Sequence, residues 1–153
     1  MATYDLTAST TSIPVSTPGG PAGFPAQAEG YSYRIKAVVD LSKIGTALAA
    51  ADIIKVLNIP AGAVVKGAWA RILTPCAAAM TLSLGDSAAS AGWIALTAIN
   101  AAAGTVLPPT GASLNAGAGK VYTAADDVRL VVAGATLNNS GIVEVTARVE
   151  RLY

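Results

Sequence analysis

Strict alternation of apolar and polar residues near the end of the chain limits what it can fold into. Val143, Val145, Ala147 and Val149 fall on one side of an extended strand, and Glu144, Thr146, Arg148 and Glu150 fall on the other. The same period of two begins at residue 31. Tyr31, Tyr33, Ile35, Ala37 and Val39 alternate with Ser32, Arg34, Lys36 and Asp40, and Val38 is the apolar exception on the polar side. A helix would scatter these apolar residues around its circumference, so both segments read as half-buried strands. If the two are neighbours, Arg34 and Lys36 can pair with Glu144 and Glu150 across them.

Between these strands the chain is a series of short β-rich runs separated by turn residues. Residues 52–59 and 63–73 flank Pro60-Ala61-Gly62, which predicts a hairpin or a sandwich corner. Further runs cover 80–84, 93–99, 120–122 and 128–133, with turns at Leu84-Gly85-Asp86 and Asn138-Asn139-Ser140-Gly141. Seven or eight strands at this spacing predict an all-β fold, an antiparallel β-sandwich that is jelly-roll-like. The competing helix signal is confined to 41–51, where Ser42 is placed to cap one short turn. Residues 98–119 offer only Val106, Leu107 and Leu114 for packing and read as a long loop.

The first thirty residues differ in kind. They contain no Lys or Arg and only two acids, Asp5 and Glu29, with Pro14, Pro18, Pro21 and Pro25 spaced among Gly19, Gly20 and Gly23. Such a run cannot be a helix and is a poor central strand. Ordering it costs about 1–2 kcal/mol per residue, whereas its anchors Ile13, Val15 and Phe24 return only about 1.5–3 kcal/mol each on burial. Two readings follow, a disordered tail or an arm that orders on a partner. The expected organisation is an extended N-terminal arm, residues 1–30, ahead of a β-sandwich domain, residues 31–153. Ile13, Val15 and Phe24 are the candidate partner-binding residues.

The chemistry of catalysis is sparsely represented. The chain has no His, which removes the commonest general base and metal ligand. Cys76 stands alone, so no internal disulfide forms and a small buried thiol is expected. Leu84-Gly85-Asp86-Ser87 has the look of an esterase nucleophile block but lacks a His partner. Gly117-Ala118-Gly119-Lys120 ends like a phosphate loop, yet Leu114 stands where its first Gly belongs and Val121 where Ser or Thr is required. Asp126 and Asp127 are adjacent, would face opposite ways on a strand and, followed by Val128-Arg129-Leu130, read as a turn leading into a strand; a calcium loop joining them to Asp86 is the weaker alternative. No enzyme activity, cofactor or metal is therefore expected.

Composition narrows the partners. A net charge of +1 gives no electrostatic footprint for nucleic acid. Hydrophobic residues make up 53% of the chain, but much of that is Ala. The uncharged stretch 87–119 is broken by Gly92, Asn100, Gly104, Pro108 and Pro109, so no membrane span is expected. The start, Met1-Ala2-Thr3-Tyr4-Asp5, has neither a basic region nor an apolar run, and synthesis in the cytoplasm is expected. Trp69 and Trp93 suit core or interface anchoring more than sugar stacking.

The phrase ADIIKVLNIPAGAVVKG, residues 51–67, combines an Asp-led strand with Ile59-Pro60-x-Gly62 and Val64-Val65. It resembles small virion proteins of bacteriophages, as do Leu84-Gly85-Asp86, the Trp93 strand and the Ser140-Gly141 turn before the terminal strand. The resemblance is to capsid decoration, or cement, proteins of tailed phages and covers most of 31–153. It implies a structural protein of the virion on the capsid surface, a homo-oligomer (dimer or trimer) that bridges neighbouring copies of the major capsid protein. The Ala-rich, charge-poor run 87–119 departs from the pattern and leaves open a second role, a carbohydrate- or receptor-binding module of a tail or fibre.

Overall fold

The two alternating segments are neighbouring antiparallel strands. The computed structural model describes residues 1–5, 7, 32–44, 48–77, 80–110, 119–133 and 140–151. Among the described residues ten strands form: β1 (Thr3–Asp5), β2 (Ser32–Asp40), β3 (Ile53–Ile59), β4 (Ala63–Thr74), β5 (Thr81–Gly85), β6 (Ile94–Ala98), β7 (Val106–Leu107), β8 (Lys120–Tyr122), β9 (Asp126–Ala133) and β10 (Ile142–Arg151). One sheet has the order β1-β3-β9-β5-β6 and the other β2-β10-β4-β7, with β8 also paired to β4. Every pairing is antiparallel except that of β1 with β3. With β1 set aside, this is the strand order of a jelly roll, and the all-β antiparallel sandwich expected from the sequence is the fold observed.

The Pro60-Ala61-Gly62 turn is a sandwich corner, because it hands the chain from β3 in one sheet to β4 in the other. Gly62 takes a φ of 76° there, in the left-handed region that Gly enters without steric cost. Its N–H donates to the Tyr122 carbonyl at 2.7 Å, which ties the corner to β8.

Alanine has a packing role in the core. On the inner face of the β2-β10-β4 sheet, Ala37, Val145 and Ala70 form one cross-strand row and Ile35, Ala147 and Ala68 the next. The other sheet and the loops beside it supply the bulk, with Ile54, Leu82, Leu84, Leu130 and Trp93 buried in the same cluster. Small side chains facing large ones let the layers interdigitate at interior density. A void of about 10 Å³ beside Ala70, Leu82 and Leu130 is no larger than one water molecule, so no small-molecule ligand fits there.

Three details differ from the sequence reading. The turn after β2 is a single 3-10 turn, Leu41–Lys43, and its cap is Asp40, whose carboxylate accepts from the Ser42 N–H at 3.0 Å; Ser42 is not the cap. The expected loop 98–119 contains β7, where Leu107 is buried against Ala70 and Val106 points outward. Thr3–Asp5, assigned to the arm, is a short edge strand on the domain's own β3. Among the described residues, no helix is long and apolar enough to cross a membrane.

Candidate functional site

The candidate anchors Ile13, Val15 and Phe24 lie outside the described residues. What is described is the domain on either side of them. β1 sits at the edge of one sheet and β2 at the edge of the other, so the segment 8–31 is joined to the domain at both ends. The β1 end is held by Asp52, which is 3% exposed. Its carboxylate accepts from the Ala2 N–H at 2.6 Å and the Ala49 N–H at 2.9 Å, while the Ile53 N–H donates to the Ala2 carbonyl at 2.9 Å. Those backbone donors hold the Asp52 pKa below the usual carboxylate range. Beyond β1, Thr7 donates its N–H and hydroxyl to the Asp5 carboxylate.

The Leu84-Gly85-Asp86 turn, which has the look of a nucleophile block, serves as a structural knot. Asp86 is buried, and its Oδ1 accepts from the N–H groups of Ala88 and Ala89 at 3.0 Å each. Its Oδ2 accepts from Lys120 Nζ and from the Tyr122 hydroxyl, each at 2.6 Å. Burial by itself would raise the Asp86 pKa, but the hydrogen bonds from Lys120, Tyr122 and Ala89 outweigh it and hold the group ionised below its ordinary range. Burial, reinforced by the bond to this carboxylate, pushes the Tyr122 phenol far above its ordinary value, an effect the Trp93 indole partly offsets. Ser87 donates to Asp126 at 2.7 Å, so its hydroxyl also serves the turn.

The carboxylates considered for a calcium loop have cations for neighbours. Asp127 is bonded to the Arg129 guanidinium and lies 3.4 Å from Lys55 Nζ, and Asp126 lies 3.6 Å from Arg129. Asp86 belongs to Lys120 and Tyr122. Three carboxylates held in this way have no lone pairs converging on a common point. Among the described residues, no group of three potential metal ligands comes together.

The outer faces of the two sheets differ in charge. On the β3-β9-β5 face, Lys55 and Arg129 are balanced by Asp127 and Asp126. The β2-β10-β4 face carries Trp69 near its centre, partly exposed, with the Arg34 guanidinium 5.7 Å from the ring centroid. Of the pairs expected there, Lys36 does meet Glu144 at 3.2 Å, but Glu150 pairs with Lys66 on β4, also at 3.2 Å, and Arg34 turns to the indole. Alternation alone does not place Trp69, because a β-bulge beside Lys66 breaks the period of β4.

The sandwich has counterparts among solved structures. A chain of the cyanophage Pam1 capsid asymmetric unit matches with a TM-score of 0.61 and 21% identity, covering 92% of this chain and 100% of that one. A chain of the capsid of Ralstonia phage GP4 matches with a TM-score of 0.56 and 19% identity, over 91% of this chain and 93% of its own. At these identities the likeness is one of fold. No protein-family model and no curated protein sequence matches the chain.

Proposed function

We propose that this chain is a non-enzymatic structural protein of a bacteriophage head, which binds the shell and bridges neighbouring capsid subunits. The observation that carries this reading is the match to two phage capsid chains over nearly their full lengths, with no large domain of either left unaccounted for. The residue inventory agrees: among the described residues, Asp86 and Asp127 are committed to salt bridges, and the void beside Ala70, Leu82 and Leu130 is too small for a ligand.

In this reading the domain, residues 31–153, is the rigid body that sits on the lattice, and the arm, residues 1–30, orders on a partner with Ile13, Val15 and Phe24 as anchors. β1 pins the start of that arm to the domain, so ordering concerns the segment 8–31. The partner is the major capsid protein or a sister subunit, and the location is the outer surface of the virion after assembly in the host cytoplasm. Many copies acting together would oppose the outward pressure of packaged DNA, because multivalent attachment makes modest contacts hold. The sugar-binding alternative loses ground with Trp93 1% and Tyr122 4% exposed, since neither ring can stack on a ligand.

Purified protein added to emptied heads that lack it should co-sediment with them, and failure to do so at micromolar concentration contradicts the proposal. Sizing of the purified chain should give a dimer or trimer. A strict monomer at the same concentration speaks against self-association.

A further inference from the structure

We infer that the outer face of the β2-β10-β4 sheet, centred on Trp69 and carrying Arg34, Arg71 and Arg148, is a docking surface for an acidic patch on another protein. The inference rests on the capsid reading for the identity of that protein, a subunit of the shell, and on the following geometry for the face itself.

The register places Arg34 on β2 directly opposite Arg148 on β10, an arrangement of like charges that disfavours the pairing of the strands that carry it. Neither is relieved by an acid. Arg34 lies over Trp69, and Arg148 donates Nε–H to the Ser32 hydroxyl at 2.8 Å. Arg71 faces Glu144 across β4 and β10, but that carboxylate is bridged to Lys36. No carboxylate of the described residues lies within ion-pair distance of Arg34, Arg71 or Arg148, whereas Lys36, Lys55, Lys66, Lys120 and Arg129 each have one. Among the described residues the face thus holds three guanidinium groups without a carboxylate partner, all of them exposed.

Apolar surface accompanies the charge. Val38 and Val106 are 51% and 54% exposed and stand at the two ends of the cross-strand row that contains Glu144 and Arg71. Trp and Arg at the centre of a surface are the residue types that dominate binding energy at protein interfaces, and Arg offers a planar fork that fits carboxylates. The three long strands, about 4.8 Å apart and about 30 Å long, present roughly 430 Å², about half of the roughly 800 Å² per partner of a standard interface.

Charge selects the occupant. Two copies of this face brought together would set six unpaired guanidinium groups against one another, so self-pairing through it is disfavoured. A nucleic-acid backbone would meet Glu144 and Glu150 and leave Val38 and Val106 without apolar contact. A protein surface with several Asp or Glu side chains around a small apolar centre complements all of these features.

The test uses the full chain and emptied heads lacking it, with binding measured by co-sedimentation at low and high salt. Replacing all three residues by Glu (Arg34→Glu, Arg71→Glu, Arg148→Glu) should weaken head binding by about 100-fold, and replacing them by Gln by about tenfold. Raising salt should weaken the wild type and, by screening repulsion from the acidic patch, should not weaken the Glu variant further but strengthen it. If the Glu variant does not fold, the Gln variant, with its melting temperature measured, decides the matter alone. Wild-type affinity in a folded variant overturns the inference while leaving the capsid reading intact. Loss of binding to a double-stranded DNA fragment with head binding preserved overturns it in favour of a nucleic-acid face. A wild-type chain that does not bind heads at all removes the capsid reading, and this face then loses its assigned partner.

Discussion

Asp86 ties two distant parts of the chain together through one buried carboxylate, since Oδ1 closes its own turn and Oδ2 receives Lys120 and Tyr122 from β8. Asp86→Asn keeps an acceptor but removes the charge, and should cost about 2–3 kcal/mol, at the lower end for a broken buried pair because Lys120 keeps some access to water. Urea unfolding measures this directly. Its neighbour Gly85 is required by space: a Cβ there would lie 2.0 Å from the Ala89 carbonyl oxygen, so Gly85→Ala should cost about 3 kcal/mol or prevent folding. These groups also set the pH limits of the fold. The Asp86 and Asp52 carboxylates have folded pKa values below their unfolded ones, so their contribution is complete above about pH 4 and is lost as the pH falls further, through the folded values. Tyr122 is shifted upward, so its contribution is complete below the unfolded value of about 10 and is lost at higher pH. Stability followed by thermal melts should therefore be level between about pH 5 and 9 and fall on both sides. Asp86→Asn should flatten the acid limb, and an unchanged acid limb in that variant would contradict the assignment.

At the scale of elements, β1 is the least expected part of the sandwich. Deleting residues 1–5 removes the donor that Ala2 gives Asp52 and the acceptor it gives Ile53. The Ile53 amide should then exchange with solvent much faster, while amides of β10 such as Val145 keep their protection, as local opening allows. Global unfolding of the truncated chain would contradict the division between arm and domain. The elements legible in the sequence are those with one face in the core and one in water. β2 and β10 alternate cleanly for that reason, and the corner at Pro60-Ala61-Gly62 announces itself through its turn residues. β1 is three residues long and β7 two, too short for any period to register. β4 carries register irregularities against β10 that move its side chains from one face to the other, which hides the outward placement of Trp69. The Asp86 knot was legible as a turn and illegible as a knot, because its partners lie 34 and 36 residues away and meet it only through the sandwich. The anchors Ile13, Val15 and Phe24 rest on the composition of their segment alone.

At the scale of the molecule, a net charge of +1 conceals an uneven distribution, with cations neutralised on one outer face and in surplus on the other. A sandwich whose described acids Asp52, Asp86 and Asp127 are committed to structure and whose basic face displays Trp69 is suited to attachment. The direct test of the proposed head-binding role is a reconstruction, by electron cryo-microscopy, of phage heads assembled with this chain. The account predicts jelly-roll density over the boundaries between shell subunits, with the Trp69 face toward the shell and residues 8–31 traced onto a neighbouring subunit. Density for this chain found only in the tail or its fibres, or absent from fully assembled heads, would contradict it.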